Sequence, residues 1–439
     1  MKSRARVAGS KAGRIWLAAF LGCGASFAHA QTAFDWAFDL GAEHTDNVSR
    51  SATDEESETV GVAGVAFSFM ADRPRFDADI SANLEFRDYL DDRYESELVG
   101  GLAGLVAYAV VPDRLVWNVA DNYGQIVSDR RLPGTPENRE DINYFTTGPD
   151  LLLPLGARNL LRVSGRWSDL YYEDRPDTSE SITGSLALIR RVSDRTEMSL
   201  NASLTATDYD EAVFVDHEIR QFYLRTELTG MRTELHMDAG YTILERDGSD
   251  ESHDGLLARI ALTRRIGARS SLRLDAGTEF STTADSLRRH QSVIGVNPEA
   301  EAVLGSAEAF QVDYGYLTWT TDWERSSIVA GVSLRREEHE LLPALDREQR
   351  DGFLTWRRQL TRTLDMDIGA RYLDEEFTGT GFQFEEWSVR TGFGWDINRQ
   401  FSLRVEFTHF DGSGGEGLRD YEENRAYIGL RYRRVRGGG

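Results

Sequence analysis

The side chains that enzymes use for catalysis are scarce in this chain, and no motif groups them. There is no G-x-S-x-G nucleophile elbow, no H-E-x-x-H zinc motif, no glycine-rich phosphate loop and no metal-spaced Cys/His cluster. His217, which is close in sequence to Asp208, Asp210 and Asp216, is the best candidate for hydrolytic chemistry. Because Asp and His are common in acidic loops, chance adjacency is the better interpretation. We therefore predict no catalytic residue, no cofactor and no metal site, and a protein that is not an enzyme.

Charged and polar side chains instead occupy alternate positions of segments that are otherwise apolar. In residues 196–207 the apolar set is Met198, Leu200, Ala202, Leu204 and Ala206. The polar set between them is Glu197, Ser199, Asn201, Ser203, Thr205 and Thr207. Successive side chains of a β-strand point to opposite faces, so such a strand has one apolar and one polar face. Comparable segments recur about every 20 residues along the chain.

The alternation favours a membrane-spanning β-barrel over a helical protein or a soluble sandwich. A helix has a period of 3.6 residues and would scatter the apolar positions around its axis, whereas a soluble sandwich can also alternate. The predicted strands, of about 11–15 residues, suit a tilted crossing of the bilayer, and their polar faces carry Asp, Glu and Arg in mid-strand. We therefore predict an all-β fold, a single transmembrane antiparallel β-barrel of the outer-membrane type.

Nine short connections set the predicted strand number. They are residues 71–75, 112–114, 156–158, 193–195, 230–232, 267–269, 322–325, 361–363 and 398–400. Longer, mostly acidic segments separate them, and such alternation of short periplasmic turns with long outer loops is typical of these barrels. The count predicts about 20 strands. Eighteen strands stay possible, because residues 140–155 and 347–360 alternate less regularly.

The first thirty residues have the features of a secretory signal peptide. Five cations precede an apolar stretch of 13 residues that ends at Phe27, and Ala28-His29-Ala30 is an A-x-A cleavage site. We expect residues 1–30 to be removed and residues 31–439 to form the barrel in the outer membrane of a Gram-negative bacterium. Cys23 is the only cysteine and lies in this signal, so the mature chain is expected to have no disulfide.

The chain is acidic, with 73 Asp and Glu against 50 Lys and Arg and a formal net charge of −23. An acidic surface repels nucleic acid and anionic lipid headgroups, so we predict that the chain binds neither of them. The acidity is interpreted as solubility of long loops. Loop acids such as Glu55, Glu56 and Glu58, or Asp247, Asp250 and Glu251, offer oxygen ligands for Ca²⁺ or Mg²⁺, but no stretch matches an EF-hand loop.

Charged residues on the predicted inward faces are the candidate pore lining. The cations are Arg87, Arg162, Arg166, Arg225, Arg259, Arg273, Arg335, Arg371, Arg390 and Arg404. The acids are Asp79, Glu85, Asp238, Asp275, Glu279, Asp367 and Glu406. These charges either set the selectivity of a conduit or pair across neighbouring strands and stabilise the wall. Glycines on the same faces, such as Gly392, are predicted to let the wall curve and to leave room for the arginines.

Aromatic residues cluster near the strand ends and predict the interfacial girdle of a membrane barrel, with sugar stacking as the alternative. They are Trp36, Tyr89, Trp117, Tyr123, Trp167, Tyr171, Tyr172, Tyr209, Tyr372, Trp395, Phe401 and Phe410.

Three short phrases resemble a known family. Residues 41–48 read GAEHTDNV, residues 117–125 read WNVADNYGQ and residues 143–150 read NYFTTGPD. The chain is similar, over most of its mature length, to outer-membrane β-barrel proteins associated with exopolysaccharide-biosynthesis and PEP-CTERM (exosortase) systems. The resemblance implies a role in exopolysaccharide export or surface assembly, and it transfers no catalytic residue.

We therefore predict a channel or scaffold in exopolysaccharide export. The alternatives are a general diffusion porin for small solutes and, third, a hydrolase at the barrel rim. The expected partners are outer-membrane lipid, the barrel-insertion machinery, and the exopolysaccharide with its periplasmic export components. The long segment 282–305 is expected either to constrict the lumen or to lie outside as a lid.

Overall fold

The structure, a computed structural model, describes residues 31–129, 131–211, 214–248, 252–282, 309–415 and 419–434. The predicted signal peptide and nearly all of the segment 282–305 lie outside the described residues. No helix in the described ranges is both long and apolar enough to cross a membrane.

The described chain forms twenty β-strands and two short 3₁₀ helices, Pro136–Asn138 and Pro343–Leu345. The strands are β1 Gln31–Thr45, β2 Glu58–Arg73, β3 Phe76–Tyr89, β4 Glu97–Val111, β5 Leu115–Val127, β6 Arg139–Pro154, β7 Asn159–Tyr172, β8 Ser179–Ser193, β9 Thr196–Tyr209, β10 His217–Thr229, β11 Thr233–Arg246, β12 Ser252–Arg265, β13 Ser270–Ser281, β14 Phe310–Asp322, β15 Ser326–Glu338, β16 Arg347–Gln359, β17 Leu364–Phe377, β18 Phe382–Asp396, β19 Phe401–Gly414 and β20 Tyr421–Arg433.

The strands make one closed antiparallel sheet. Each strand pairs with its neighbour in the chain, and β1 also pairs with β20, from Ala37 opposite Arg433 to Thr45 opposite Arg425. The two less regular segments of the sequence are the strands β6 and β16, so the prediction of about twenty strands is confirmed and eighteen is excluded. All nine predicted short connections are found, each of two to four residues between strand ends, and alternation of strand direction places them at one end of the barrel.

The outer face of the wall carries an apolar belt. Residues directly opposite each other in an antiparallel pair share a face, and the register places Leu200, Phe222 and Tyr241 on the same side as one another. Leu200 is 62% exposed and Phe222 is 54% exposed, which in a closed barrel marks the outside. On β10 the outward apolar side chains run from Phe222 to Leu228, a span of seven residues.

Above this belt, the outer face becomes charged. Toward the long-loop end of β10, the outward positions beyond Phe222 are Arg220 and Glu218. Arg220 pairs with Glu218 at 2.9 Å and with Glu245 at 2.8 Å. The strands thus extend beyond the bilayer at the end that carries the long loops. A closed antiparallel barrel with an apolar belt satisfies all its backbone groups internally, as hydrocarbon requires, and it is the architecture of outer-membrane proteins. The chain is an outer-membrane β-barrel.

The prediction that the strand-end aromatics form an interfacial girdle is correct for part of the set only. Trp36, Phe401 and Tyr432 lie on the outer face, where the rings of Trp36 and Phe401 are 5.6 and 5.1 Å from that of Tyr432. The other face, which carries the charged residues, includes Tyr89, Tyr172, Tyr209 and Phe410. Each of them lies an even number of positions from the inward charged residues of its strand, which we call inward parity. These four rings line the lumen.

The two faces of β9 give a direct test of the inside–outside assignment. We expect Leu200→Arg to lower the free energy of unfolding by about 2–4 kcal/mol, because a guanidinium would replace a lipid-facing side chain in mid-belt. Ser203→Arg, on the opposite face of the same strand, is expected to change it by much less. The measurement is reversible denaturant unfolding in phospholipid vesicles, and equal losses for both variants would contradict the assignment.

Candidate functional site

The lumen contains one large cavity that reaches both ends of the barrel. Its volume is about 910 Å³, and it is lined by Trp323 and Arg325 at the short-turn end and by Val48 and Thr135 from loops at the other end. The walls between carry Asp39, Glu43, Arg87, Arg371, Arg404 and Glu406, among others. All seventeen predicted pore-lining residues have the inward parity on their strands.

Fifteen of the seventeen are held in ion pairs among the described residues. One network crosses β10 to β13: Asp238 accepts hydrogen bonds from Arg225 at 2.8 and 3.0 Å and lies 3.4 Å from Arg259, which pairs with Glu279 at 2.8 Å. Tyr223 lies beside this network, with the guanidiniums of Arg225 and Arg259 at 5.3 and 5.8 Å from its ring centre.

A second network crosses β17 to β19. Arg404 pairs with Asp367 at 3.0 Å and with Glu406 at 2.7 Å, while Arg390 lies 3.7 Å from Asp367. A Cβ at position 392 would lie 2.7 Å from Arg404 Nη2 and 2.9 Å from Asp367 Oδ1. Gly392 therefore leaves the space in which this pair forms, as the sequence predicted.

The other predicted lining residues form local pairs. These pairs are Arg87 with Glu85, Arg166 with Asp150, Arg273 with Asp275, Arg335 with Glu337 and Arg371 with Asp351. Arg162 and Asp79 are exposed to the lumen and have no ion pair within the described residues. The lining is thus mostly neutralised pair by pair, which favours the wall-stabilising interpretation of these charges over a track of one sign.

A loop residue that the sequence analysis did not single out closes part of the lumen at the loop end. Arg50, in the connection between β1 and β2, has a left-handed backbone with φ of 50°. Its Nε donates to Glu423 at 3.0 Å, and its guanidinium lies 5.0 Å from the ring centres of both Phe410 and Tyr421. Glu386 is 3.9 Å away. All four contacts have inward parity on β18, β19 and β20, so the side chain reaches into the lumen.

The loop has further anchors around Arg50. The side-chain amide of Asn47 donates to the backbone carbonyl oxygens of Ser51 and Glu422, both at 2.8 Å. Val48 packs on the lumenal cluster of Val60, Val62 and Tyr89. Burial lowers the pKa of Arg50, but the nearby charges of Tyr421 and Glu423 raise it by more than burial lowers it. The pKa of Arg50 therefore lies above its ordinary value. The one sequence signal was that Arg50 is the single cation between residues 46 and 58, among five acids.

The candidate catalytic and metal positions of the sequence have other surroundings. His217 is buried, with its ring centre 5.9 Å from that of Tyr209, and the described residues give it no acid partner within 4 Å. Glu58 is buried and accepts from the backbone of Thr59 at 2.7 Å and of Asp91 at 2.9 Å. Asp250 and Glu251 lie outside the described residues. In the described ranges, no group of three or more His, Cys, Asp or Glu is arranged to hold a metal ion.

His339, in the loop after β15, is a second buried group at this end. Its ring centre lies 4.8 Å from that of Phe310, its backbone N–H donates to Asp346 at 2.6 Å, and no ring nitrogen has a hydrogen bond within the described residues. Burial lowers the pKa of His339, and the nearby charge of Arg347 also lowers it, while Glu337 and Asp346 act in the opposite direction. The folded loop therefore favours the neutral imidazole.

The loop between β1 and β2 should open more readily without Arg50. We expect Arg50→Met to lower the local opening free energy by about 2 kcal/mol, which is less than for a fully buried pair because Arg425 still faces Glu423. Backbone hydrogen exchange at Val48 and Arg50 would then rise about 30-fold, with a larger single-channel conductance. Arg93→Met, which removes a half-exposed pair with Glu56, is the control. Unchanged exchange in Arg50→Met would contradict the anchoring role.

The loop of His339 should loosen in mild acid. Because the pKa of His339 is depressed in the folded loop, the stability that the neutral ring contributes is complete above the ordinary value of about 6.5 and is lost as the pH falls below it. We expect faster proteolysis of residues 339–346 at pH 5.5 than at pH 7.5, and little pH effect in His339→Phe, which keeps a ring against Phe310. An equal pH response in the variant would exclude His339 as the cause.

Known proteins of similar structure share little sequence with this chain. No protein-family model matches the chain, and no curated protein matches its sequence. The siderophore receptor PirA from Pseudomonas aeruginosa is similar in structure, with 9% identity, 93% of this chain and 81% of that chain covered, and a TM-score of 0.46. The Pseudomonas aeruginosa ferric enterobactin receptor PfeA has 8% identity, the same coverages and a TM-score of 0.49. Acinetobacter baumannii OccAB3 has 8% identity, coverages of 92% and 99%, and a TM-score of 0.38. At these values the likeness carries no argument about transported substrate.

Proposed function

We propose that this outer-membrane barrel is a channel or scaffold through which a polar glycan is exported, in the exopolysaccharide role that its resemblance to the PEP-CTERM-associated family implies. The observation that carries the proposal is the cavity that touches residues of both barrel ends. A barrel whose lumen is filled by side chains would leave no such space, whereas larger barrels enclose channels. The partners proposed with it are the exopolysaccharide and its periplasmic export components, in addition to lipid and the insertion machinery.

The lining suits a neutral or mixed-charge glycan better than a strongly charged solute. Because most wall charges are paired, the wall offers no continuous track for an ion of either sign. Half-buried tyrosines share the lumenal face, including Tyr223, Tyr314, Tyr316 and Tyr427. The rings of Tyr314 and Tyr316 lie 5.8 Å apart at 39° on this face. A lumen of this kind supports the sugar-stacking alternative that the sequence left open.

The same features separate glycan export from its two competitors. A general diffusion porin would use the water-filled space but would not need the tyrosines. A rim hydrolase would need a nucleophile that His217 activates, and the buried ring of His217 lies opposite Thr207 on β9 and 5.9 Å from the ring of Tyr209. That the protein is not an enzyme is part of the proposal.

Planar-bilayer recordings test the proposal. We expect a steady conductance that long neutral oligosaccharides block more strongly than disaccharides do. In Tyr314→Leu/Tyr316→Leu, the concentration for half block should rise about fivefold through loss of two stacking faces. Tyr314→Phe/Tyr316→Phe keeps both rings and should behave like the wild type. Block by small sugars alone, equal in both double variants, would favour the porin.

In the producing bacterium, deletion of the protein should abolish surface polysaccharide while leaving growth on small nutrients unchanged. Unchanged surface polysaccharide would exclude the export role, whatever the conductance.

A further inference from the structure

Each short turn of the barrel carries one arginine. All nine turns lie within the described residues, and the set is Arg75, Arg114, Arg158, Arg195, Arg232, Arg269, Arg325, Arg362 and Arg399. The same turn residues include three acids, Asp113, Asp194 and Glu324. This composition is opposite to that of the whole chain, in which acids outnumber cations.

The backbone of these arginines is fixed at the edge of the wall. Seven of them immediately precede the first residue of the next strand, and their carbonyl oxygens accept a hydrogen bond from the following hairpin. Examples are Arg158, bonded by the N–H of Arg191 at 2.8 Å, and Arg232, bonded by the N–H of Arg265 at 2.8 Å. Because the nine turns are distributed around the closed barrel, their arginines are spaced around its whole rim.

Their side chains are left available. All nine arginines are exposed, and none of them has an ion pair within the described residues. The arginines of the wall behave differently, because most of them are paired with Asp or Glu. The rim guanidiniums therefore form a ring of uncompensated positive charge on an otherwise acidic protein.

The depth of this ring is marked by aromatic side chains. Outward-facing Trp117, Trp319, Trp356 and Trp395 lie within three residues of the short-turn ends of their strands, and Trp323 lies in a turn itself. Such residues lie at the membrane–water interface of β-barrels. The turns directly beyond them are therefore at the level of the lipid phosphates, and of their arginines Arg325 also lines the cavity.

We infer that this rim binds the headgroups of anionic phospholipids in the periplasmic leaflet. A single protein partner would need a patch on one side, whereas the arginines follow the full circumference, as the first shell of lipids does. A guanidinium matches a phosphate through paired N–H donors. At the other end, the outward charged residues above the apolar belt form a collar of ion pairs, and the acidic loops beyond it repel anionic lipid. The charge asymmetry therefore also orients the barrel across the membrane.

The test compares lipid selectivity of the full barrel and two matched variants. Arg195→Gln/Arg232→Gln/Arg269→Gln removes three neighbouring rim charges. The collar variant, Arg220→Gln/Arg336→Gln/Arg350→Gln, removes three outward arginines at the opposite end, where each is paired with acids. The probe is quenching of tryptophan fluorescence by brominated phosphatidylglycerol against brominated phosphatidylcholine in vesicles, which reports on the rim because most tryptophans lie there.

We expect the wild type to prefer phosphatidylglycerol several-fold, by up to about fivefold for each guanidinium in contact. The preference should fall as salt is raised and should drop in the rim variant but not in the collar variant. No preference in the wild type, or equal losses in both variants, would overturn the inference. Undiminished lipid selectivity of the rim variant, together with loss of binding to an acidic periplasmic protein that the wild type binds, would do so too. Conductance is independent of these outcomes.

Discussion

Closure of the sheet is the constraint on which every other feature of this protein depends. In hydrocarbon an unpaired backbone N–H or C=O finds no water, so a membrane sheet cannot keep a free edge. The chain meets this constraint by pairing β1 with β20. Side chains stabilise the seam, since Asp39 accepts hydrogen bonds from Arg431 at 2.7 and 3.1 Å and Thr45 donates to Glu423 at 2.7 Å. Only a closed wall has a lumen, and so a place for charged side chains away from lipid.

Glu423 takes part both in the pairing of β20 with β1 and in holding the loop that narrows the lumen. It accepts from Thr45 across the seam, from Arg425 on its own strand and from Arg50 in the loop. A buried carboxylate is stable only when such partners compensate its lost hydration. The loop that narrows the lumen is therefore positioned by the same residue that joins the last strand to the first. Any motion of the loop must leave this carboxylate with Thr45 and Arg425 alone.

Most of the wall was predictable because alternation is a local property. Which residues share a face follows from parity, and the short turns follow from Gly, Pro and Asn beside Arg. Tyr89 shows the limit: its parity equals that of Arg87, which places it in the lumen, yet nearness to a strand end suggested the girdle. The partners of Arg50 could not be read from the sequence, because Glu386 and Glu423 are more than 330 residues away and only closure brings them near.

The amino-acid sequence by itself determined the strands, their two faces, the nine turns and the acidic loops, since a period of two and short breaks are encoded within each hairpin. The tertiary structure decided which charges neutralise one another, that Arg50 enters the lumen and that the turn arginines form a ring. These depend on the shear and circumference of the closed barrel. Those quantities are set by all twenty strands together, and no single segment contains them.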